Sequence, residues 1–250
     1  MARKVAPRTV LVTGASRGLG LAIARHLAAA DYRVIALARR ESKEVAAAIA
    51  ETKTNKSGTL HFVSFDLGKI DGIPGLVKGL RGEFGPCFGL VNNAAIGLDG
   101  ALAMMHNSRI EELIRINTLS PIILTKYVVR SMMSEKAGRI VNVASIIGFT
   151  GYSGLSVYAA TKASMIGFTR SLSREVGRLG INVNAIAPGF VETEMTHGLA
   201  GERRDQVVRR SALRRLADTD DIANAVEFLL SDKAKNISGT VLTVDAGATA

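Results

Sequence analysis

The chain has 250 residues, 47% of them hydrophobic and 5% aromatic, with a net charge of +10 and a pI near 10.0. That length fits one large α/β domain or two small ones, with enough apolar residues for a sizeable core. No apolar run reaches the roughly 18 residues of a membrane span, the basic opening "MARKVAPRTV" lacks the apolar centre of a secretory leader, and the lone Cys87 excludes an internal disulfide framework and suits a reducing cytoplasm.

The predicted elements alternate along the chain. A strand at Thr9–Thr13 passes through a glycine turn into a helix at Gly18–Ala30. Then come strand Tyr32–Ala38, helix Ser42–Lys53, strand Leu60–Phe65, helix Ile73–Arg81 and strand Gly89–Asn92. A long helix at Arg109–Met133 leads to strand Arg139–Ala144, and a second, Tyr158–Leu179, to strand Asn182–Ile186. Helices Arg203–Arg210 and Asp220–Leu230 and the strand Thr240–Val244 close the series. Strand–helix alternation with right-handed crossovers predicts a doubly wound, seven-stranded, mainly parallel sheet with helices on both faces. No linker, repeat or low-complexity tract interrupts it, so residues 1–250 read as a single domain.

The first strand runs into "TGASRGLG", Thr13 to Gly20. Glycines 14, 18 and 20 between a strand and a helix let backbone approach a pyrophosphate, whose charge the helix N-terminus favours. This is the Rossmann arrangement for a dinucleotide. About 20 residues further on, NAD sites place an acid against the ribose 2′-hydroxyl. Here that position is Arg39, followed by Arg40, and Arg17 stands in the glycine turn. Guanidinium groups suit a 2′-phosphate, so the expected cofactor is NADP(H).

Tyr158 and Lys162 lie four residues apart on one helix, where side chains stand one above the other. A nearby ammonium lowers a phenol's pKa from about 10 and makes it a usable acid–base group. Pro121 follows Asn117 by four residues, so the Asn117 carbonyl loses its helical N–H partner and is free to accept from a water. The four histidines are scattered and no Cys/His cluster has metal-ligand spacing, so no metal is expected. The basic surplus favours acidic partners. The arginines are spread over several helices without an aromatic–basic stripe, so nucleic acid is not an expected partner.

With these residues in view, the chain resembles the classical short-chain dehydrogenase/reductase family over essentially its whole length. The resemblance rests on "TGASRGLG", "NNAA" at Asn92–Ala95, Asn117, Ser145, "YAATK" at Tyr158–Lys162 and "PG" at Pro188–Gly189. It implies a catalytic set of Asn117, Ser145, Tyr158 and Lys162. Tyr158 is then the proton donor, Ser145 orients the carbonyl, Lys162 holds the nicotinamide ribose and depresses the phenol pKa, and Asn117 holds a relay water. The implied cofactor-binding residues are Gly14, Ser16, Arg17, Gly18, Leu19, Gly20, Arg39, Asp66, Leu67, Asn93, Ala94, Tyr158, Lys162, Pro188, Gly189, Val191 and Thr193. The chain departs from the family at Ala95, where relatives usually have glycine, and in "DAG" at Asp245–Gly247, where many read D-G-G.

Within the family, "LDGALAMM", "GRIVNVASIIGFTG" and "INVNAIAPGFVETEMT" are most similar to 3-oxoacyl-[acyl-carrier-protein] reductases. That resemblance implies a β-keto thioester on acyl carrier protein or coenzyme A as substrate, a homotetramer, and carrier docking by Arg130 and Arg174. Segment Thr196–Arg215, with arginines 203, 204, 209, 210, 214 and 215, is expected over the substrate as a lid that attracts phosphate. The alternatives are an NADP(H) oxidoreductase of a sugar, steroid, quinone or polyketide-type carbonyl, and a dinucleotide-sensing or nucleic-acid-binding protein without turnover.

Overall fold

The computed structural model describes residues 7–54, 58–97, 99–191 and 201–250. Seven strands form one sheet: β1 Thr9–Thr13, β2 Arg33–Ala38, β3 Thr59–Ser64, β4 Cys87–Asn92, β5 Gly138–Val143, β6 Ile181–Pro188 and β7 Val241–Val244. Their order is β3-β2-β1-β4-β5-β6-β7, and every pairing is parallel. The helices are α1 Gly18–Ala29, α2 Lys43–Thr54, α3 Ile73–Phe84, α4 Asn107–Ile114, α5 Ser120–Glu135, α6 Ser156–Val176, α7 Glu202–Arg210 and α8 Thr219–Leu230.

The strands are apolar on both sides because helices cover both faces. Along β1 the side chains alternate. Val10 and Val12 join Ile23, Leu27, Ile222 and Val226 from α1 and α8, while Leu11 joins Leu124, Val128 and Met132 of α5 on the other face. Chain order reverses at β1, which sits between β2 and β4, and opens a crevice beyond the carboxyl ends of these strands.

The predicted long helix Arg109–Met133 is interrupted. Between α4 and α5, Arg115–Leu119 form a π-helical turn in which the Ser120 N–H bonds the Arg115 carbonyl. Pro121 is the physical reason: its missing N–H and its ring are accommodated by a wider turn rather than by a bend alone. Asn117 lies in that turn, buried.

The two departures from the family pattern have different consequences. Ala95 is not among the residues with positive φ, so its methyl group adds no backbone strain. Ala246 has φ of 55°, in the left-handed region that favours glycine. Ala246→Gly is expected to stabilise the protein by about 0.5–1 kcal/mol after the entropy of the unfolded chain is counted. A urea titration checks this, and an unchanged or lower midpoint would contradict it.

Candidate active site

The glycine turn is built against the end of β4. The Thr13 hydroxyl donates to the Val91 carbonyl at 3.2 Å and accepts from the Asn93 and Ala94 N–H groups at 3.0 and 2.9 Å. Gly14 has φ of 67°, and a Cβ there would stand 2.8 Å from the Ala94 Cα. A Cβ on Gly20 would fall 2.3 Å from the Gly14 carbonyl oxygen, so this glycine lets α1 pack against the turn. Gly18 opens α1 with free space around it, Arg17 precedes it without a side-chain cap, and no acid stands in the first turn. The first N–H groups and the positive end of the helix dipole therefore face the crevice, as an anionic pyrophosphate requires.

Ser16 and Leu19 are half-buried in the same turn. Ser42, which the sequence reading missed, donates from its hydroxyl to the Ser16 carbonyl at 2.6 Å and accepts from the Val45 N–H at 3.1 Å. It thus clasps the turn to the start of α2. Arg17, Arg39 and Arg40 are all exposed around this end of the crevice.

Past β3, Asp66 accepts from the Gly68 N–H at 3.0 Å, and the Leu67 carbonyl accepts from the Ser120 hydroxyl at 2.9 Å. This places Asp66 and Leu67 on a braced turn beside the π turn. Asn93 spends its amide on the glycine turn, donating to the Thr13 carbonyl at 2.9 Å. Pro188 ends β6, and the Gly189 N–H extends the sheet by bonding the Val244 carbonyl at 2.9 Å. Val191 is buried and paired with Ala217. Thr193 and the first part of Thr196–Arg215 lie outside the described residues. Of the remainder of that segment, Arg209, Arg210, Arg214 and Arg215 are exposed.

The four proposed catalytic residues converge from β5, the π turn and α6. Ser145 follows β5 in extended conformation, and its Oγ accepts from the Ile147 N–H at 3.2 Å. It also stands close enough to the Tyr158 phenol to lower its pKa. Lys162 is 4% exposed, its Nζ donates to the Val143 carbonyl at 2.9 Å, and it lies 5.6 Å from the centre of the Tyr158 ring. The Asn117 side chain is saturated by protein: Oδ1 accepts from the Ile96 N–H at 2.9 Å, and Nδ2 donates to the Ile96 carbonyl at 2.9 Å and to Thr161 Oγ1 at 3.3 Å. Thr161 in turn donates to the Tyr158 carbonyl at 2.7 Å, and Thr118 pairs with Ser164 at 2.9 Å. These contacts stitch the π turn to the helix that carries the phenol. Thr161 was not singled out by sequence, where a lone threonine inside a helix carries no signal.

The sequence expectation that Lys162 depresses the phenol pKa is reversed. Burial pushes the Tyr158 phenol up to about 12, against a lowering pull from Ser145. Burial also pushes Lys162 down to about 8. Proximity on a helix face is legible in sequence, but desolvation is not, and here burial is the largest cause of both shifts.

Arg130 and Arg174 do not approach this centre as part of it. Arg130 is exposed on α5 with its guanidinium 5.1 Å from the centre of the Tyr127 ring, and Arg174 is exposed in the last turn of α6. Among the described residues, no group of three or more His, Cys, Asp or Glu stands together, and no helix is long and apolar enough to cross a membrane.

Residues 8–204 match the family model described as short chain dehydrogenase. The chain is 42% identical over 241 residues to a 3-oxoacyl-[acyl-carrier-protein] reductase of Escherichia coli (strain K12), covering 96% of each chain. Among solved structures, a gluconate 5-dehydrogenase from Burkholderia cenocepacia, in complex with NADP and tartrate, superposes with a TM-score of 0.91 at 27% identity, over 97% of this chain and 95% of that one. An actinorhodin polyketide ketoreductase with NADPH gives a TM-score of 0.89 at 30% identity, over 97% of both chains. A parallel sheet with its glycine turn at the switch point, a serine–tyrosine–lysine centre beside it, and these matches along most of its length agree: the chain belongs to the short-chain dehydrogenase family.

Proposed function

We propose that this chain reduces a 3-oxoacyl thioester, carried on acyl carrier protein or coenzyme A, to the 3-hydroxyacyl form with NADPH. The observation that carries this reading is the 42% identity to a 3-oxoacyl-[acyl-carrier-protein] reductase across 96% of both chains. The cofactor is NADP(H). Arg17, Arg39 and Arg40 are exposed around the crevice, and the end of β2 carries no acid in the place where NAD sites have one. Arg39→Asp is expected to move preference toward NADH, since a carboxylate repels a 2′-phosphate and accepts from a 2′-hydroxyl. Arg17 and Arg40 blunt the single change, so the triple variant shows it most strongly. The ratio of kcat/KM with the two cofactors measures it, and a parent enzyme that prefers NADH would overturn the assignment.

NADPH, when bound, supplies hydride to the carbonyl carbon. The residues of the chain manage the oxygen. With one Ser145 lone pair filled by the Ile147 N–H, its own proton is free to turn toward the substrate oxygen. Tyr158 donates its proton to that oxygen as negative charge develops there. A phenol at about 12 is fully protonated at neutral pH, which is the state reduction needs, and a developing alkoxide is the stronger base. Lys162, lowered to about 8, keeps most of its charge at neutral pH and offers its remaining protons to ribose hydroxyls. The Asn117 main-chain carbonyl, without an N–H from Pro121, holds the relay water.

The structural likeness to gluconate 5-dehydrogenase favours a second reading, a hydroxy acid or sugar acid as substrate. Steady-state reduction of acetoacetyl thioester compared with 5-ketogluconate separates the two. Turnover confined to the keto acid would overturn the thioester reading.

Carrier docking rests on the exposed cations of the long helices. The double variant Arg130→Glu, Arg174→Glu is expected to lose about tenfold or more in kcat/KM on an acyl-carrier substrate while keeping activity on a small acetoacetyl ester. Charge steering weakens with salt, so rising ionic strength depresses the first activity more than the second. Equal behaviour on both substrates would remove the docking role. We further propose that the single domain assembles as a homotetramer. Ile114, Leu119 and Met133 are exposed at 47%, 41% and 42% and give the α4–α5 stretch apolar groups for a second copy, which sedimentation measures directly.

A further inference from the structure

Beyond the sheet's carboxyl edge, large apolar side chains stand in solvent. Met104 is 82% exposed, Leu213 61%, Leu102 55%, Phe149 51% and Tyr152 46%. They come from separate loops, yet the fold gathers those loops. Leu102 and Met104 belong to the loop after β4, which the Gly100 N–H ties to the Gly154 carbonyl at 2.9 Å in the loop after β5. Phe149 and Tyr152 lie in that second loop, between Ser145 and Tyr158, and the Tyr152 ring meets that of Phe190 beyond β6, centres 5.9 Å apart and planes tilted by 60°. The Leu213 N–H bonds the Ala246 carbonyl at 3.0 Å, beyond β7. Because β4, β5, β6 and β7 are neighbours in that order, the four loops form a row along the edge that carries the phenol and the serine.

We infer that this row is a collar for an extended hydrocarbon tail on the substrate, and that Met104 and Phe149 set a preference for longer acyl chains over acetoacetyl. The inference rests on the thioester reading above and narrows it to a substrate class. Exposed apolar groups of this size, grouped beside a reacting centre, mark a binding surface more often than plain solvent contact. An unbranched, polarisable methionine suits a flexible chain. Their side chains offer no donors or acceptors to a polyol beyond the Tyr152 hydroxyl. The thioester arm carries phosphate, and the exposed Arg209, Arg210, Arg214 and Arg215 flank Leu213 at one end of the row. A substrate apolar along its acyl chain and anionic along its arm matches that distribution of charge.

The test uses the full chain with NADPH and two probes, acetoacetyl and 3-oxooctanoyl coenzyme A. The longer thioester is expected to have a kcat/KM about tenfold or more higher, equivalent to ~1.4 kcal/mol, less than two methylenes' worth of burial. In Met104→Ser, Phe149→Ser that advantage should fall to within about threefold, with NADPH affinity read by fluorescence as the control for folding. Should the double variant fail to bind NADPH, Met104→Gln alone replaces it, since a side chain this exposed makes little contribution to the fold. Equal kcat/KM for the two thioesters in the parent, or an advantage that survives in a variant that binds NADPH normally, would overturn the collar while leaving thioester reduction in place. Reduction of neither thioester would overturn both.

Discussion

Tyr158→Phe is expected to lower kcat/KM for ketone reduction by about 10²–10⁴-fold, the usual contribution of a positioned proton donor. The ring stays, so its packing on α6 stays, and what is lost is the hydroxyl beside Ser145. NADPH affinity should change little, because the glycine turn and the arginines at β2 are untouched. The residual rate should also lack the fall that the parent shows when its phenol ionises at high pH. Steady-state NADPH oxidation with a fluorescence titration of the cofactor separates these effects. A variant within about threefold of the parent would rule out the phenol as the acid.

Lys162→Met carries a second large effect, with a signature in stability as well as in rate. Turnover should fall by about 10²-fold or more, since the ammonium that steadies the ribose is gone. The linkage follows from a folded-state pKa of about 8 against an ordinary 10.5. Below about pH 8 both folded and unfolded chains hold the proton, and the folded state bears the full cost of a buried ammonium. Between these values the unfolded chain holds more protons than the native one, so stability rises with pH. Urea unfolding at about pH 7 and about pH 9.5 should show the parent gaining on the order of 2 kcal/mol relative to Lys162→Met. If the two proteins change in parallel, Lys162 does not titrate in this window.

Much of this architecture is legible in the sequence because it depends on local pattern. The β-branched runs at Thr9–Thr13 and Arg139–Val143 and the glycines of "TGASRGLG" report backbone requirements directly. The start of β4 was missed because Cys87 and Phe88 lack that pattern; Cys87 is held by pairing with Thr9 of β1, and the register shifts past Phe88. The α4–α5 interruption left only Pro121 as its mark: the freed Asn117 carbonyl is legible, but a π turn and an ordinary proline-bearing helix look alike in a sequence. Ser42 and Thr161 act through carbonyls distant in the chain or on the next turn, so neither has a motif. The phenol and ammonium were found by spacing, while the direction of their pKa shifts depends on burial, which emerges only when β5, α6 and the loops close around them. Ala246 shows the reverse case: a departure visible in sequence whose strain appears only in its φ angle.

The π turn at Arg115–Leu119 also works as a length gauge. An α-helix advances about 100° per residue, and the wide turn accommodates a surplus residue without passing that rotation on to α5. Deleting one residue there would leave an ordinary helix of seemingly better geometry. It would keep α5 in register, with Leu124, Val128 and Met132 still meeting the sheet, but it would withdraw the extra residue that lets Asn117 reach Ile96. Surface loops of this fold absorb insertions and deletions at little cost. This turn differs, because the surplus residue serves the position of Asn117 and not the packing of α5, so its loss would spare the core and disturb the proton path.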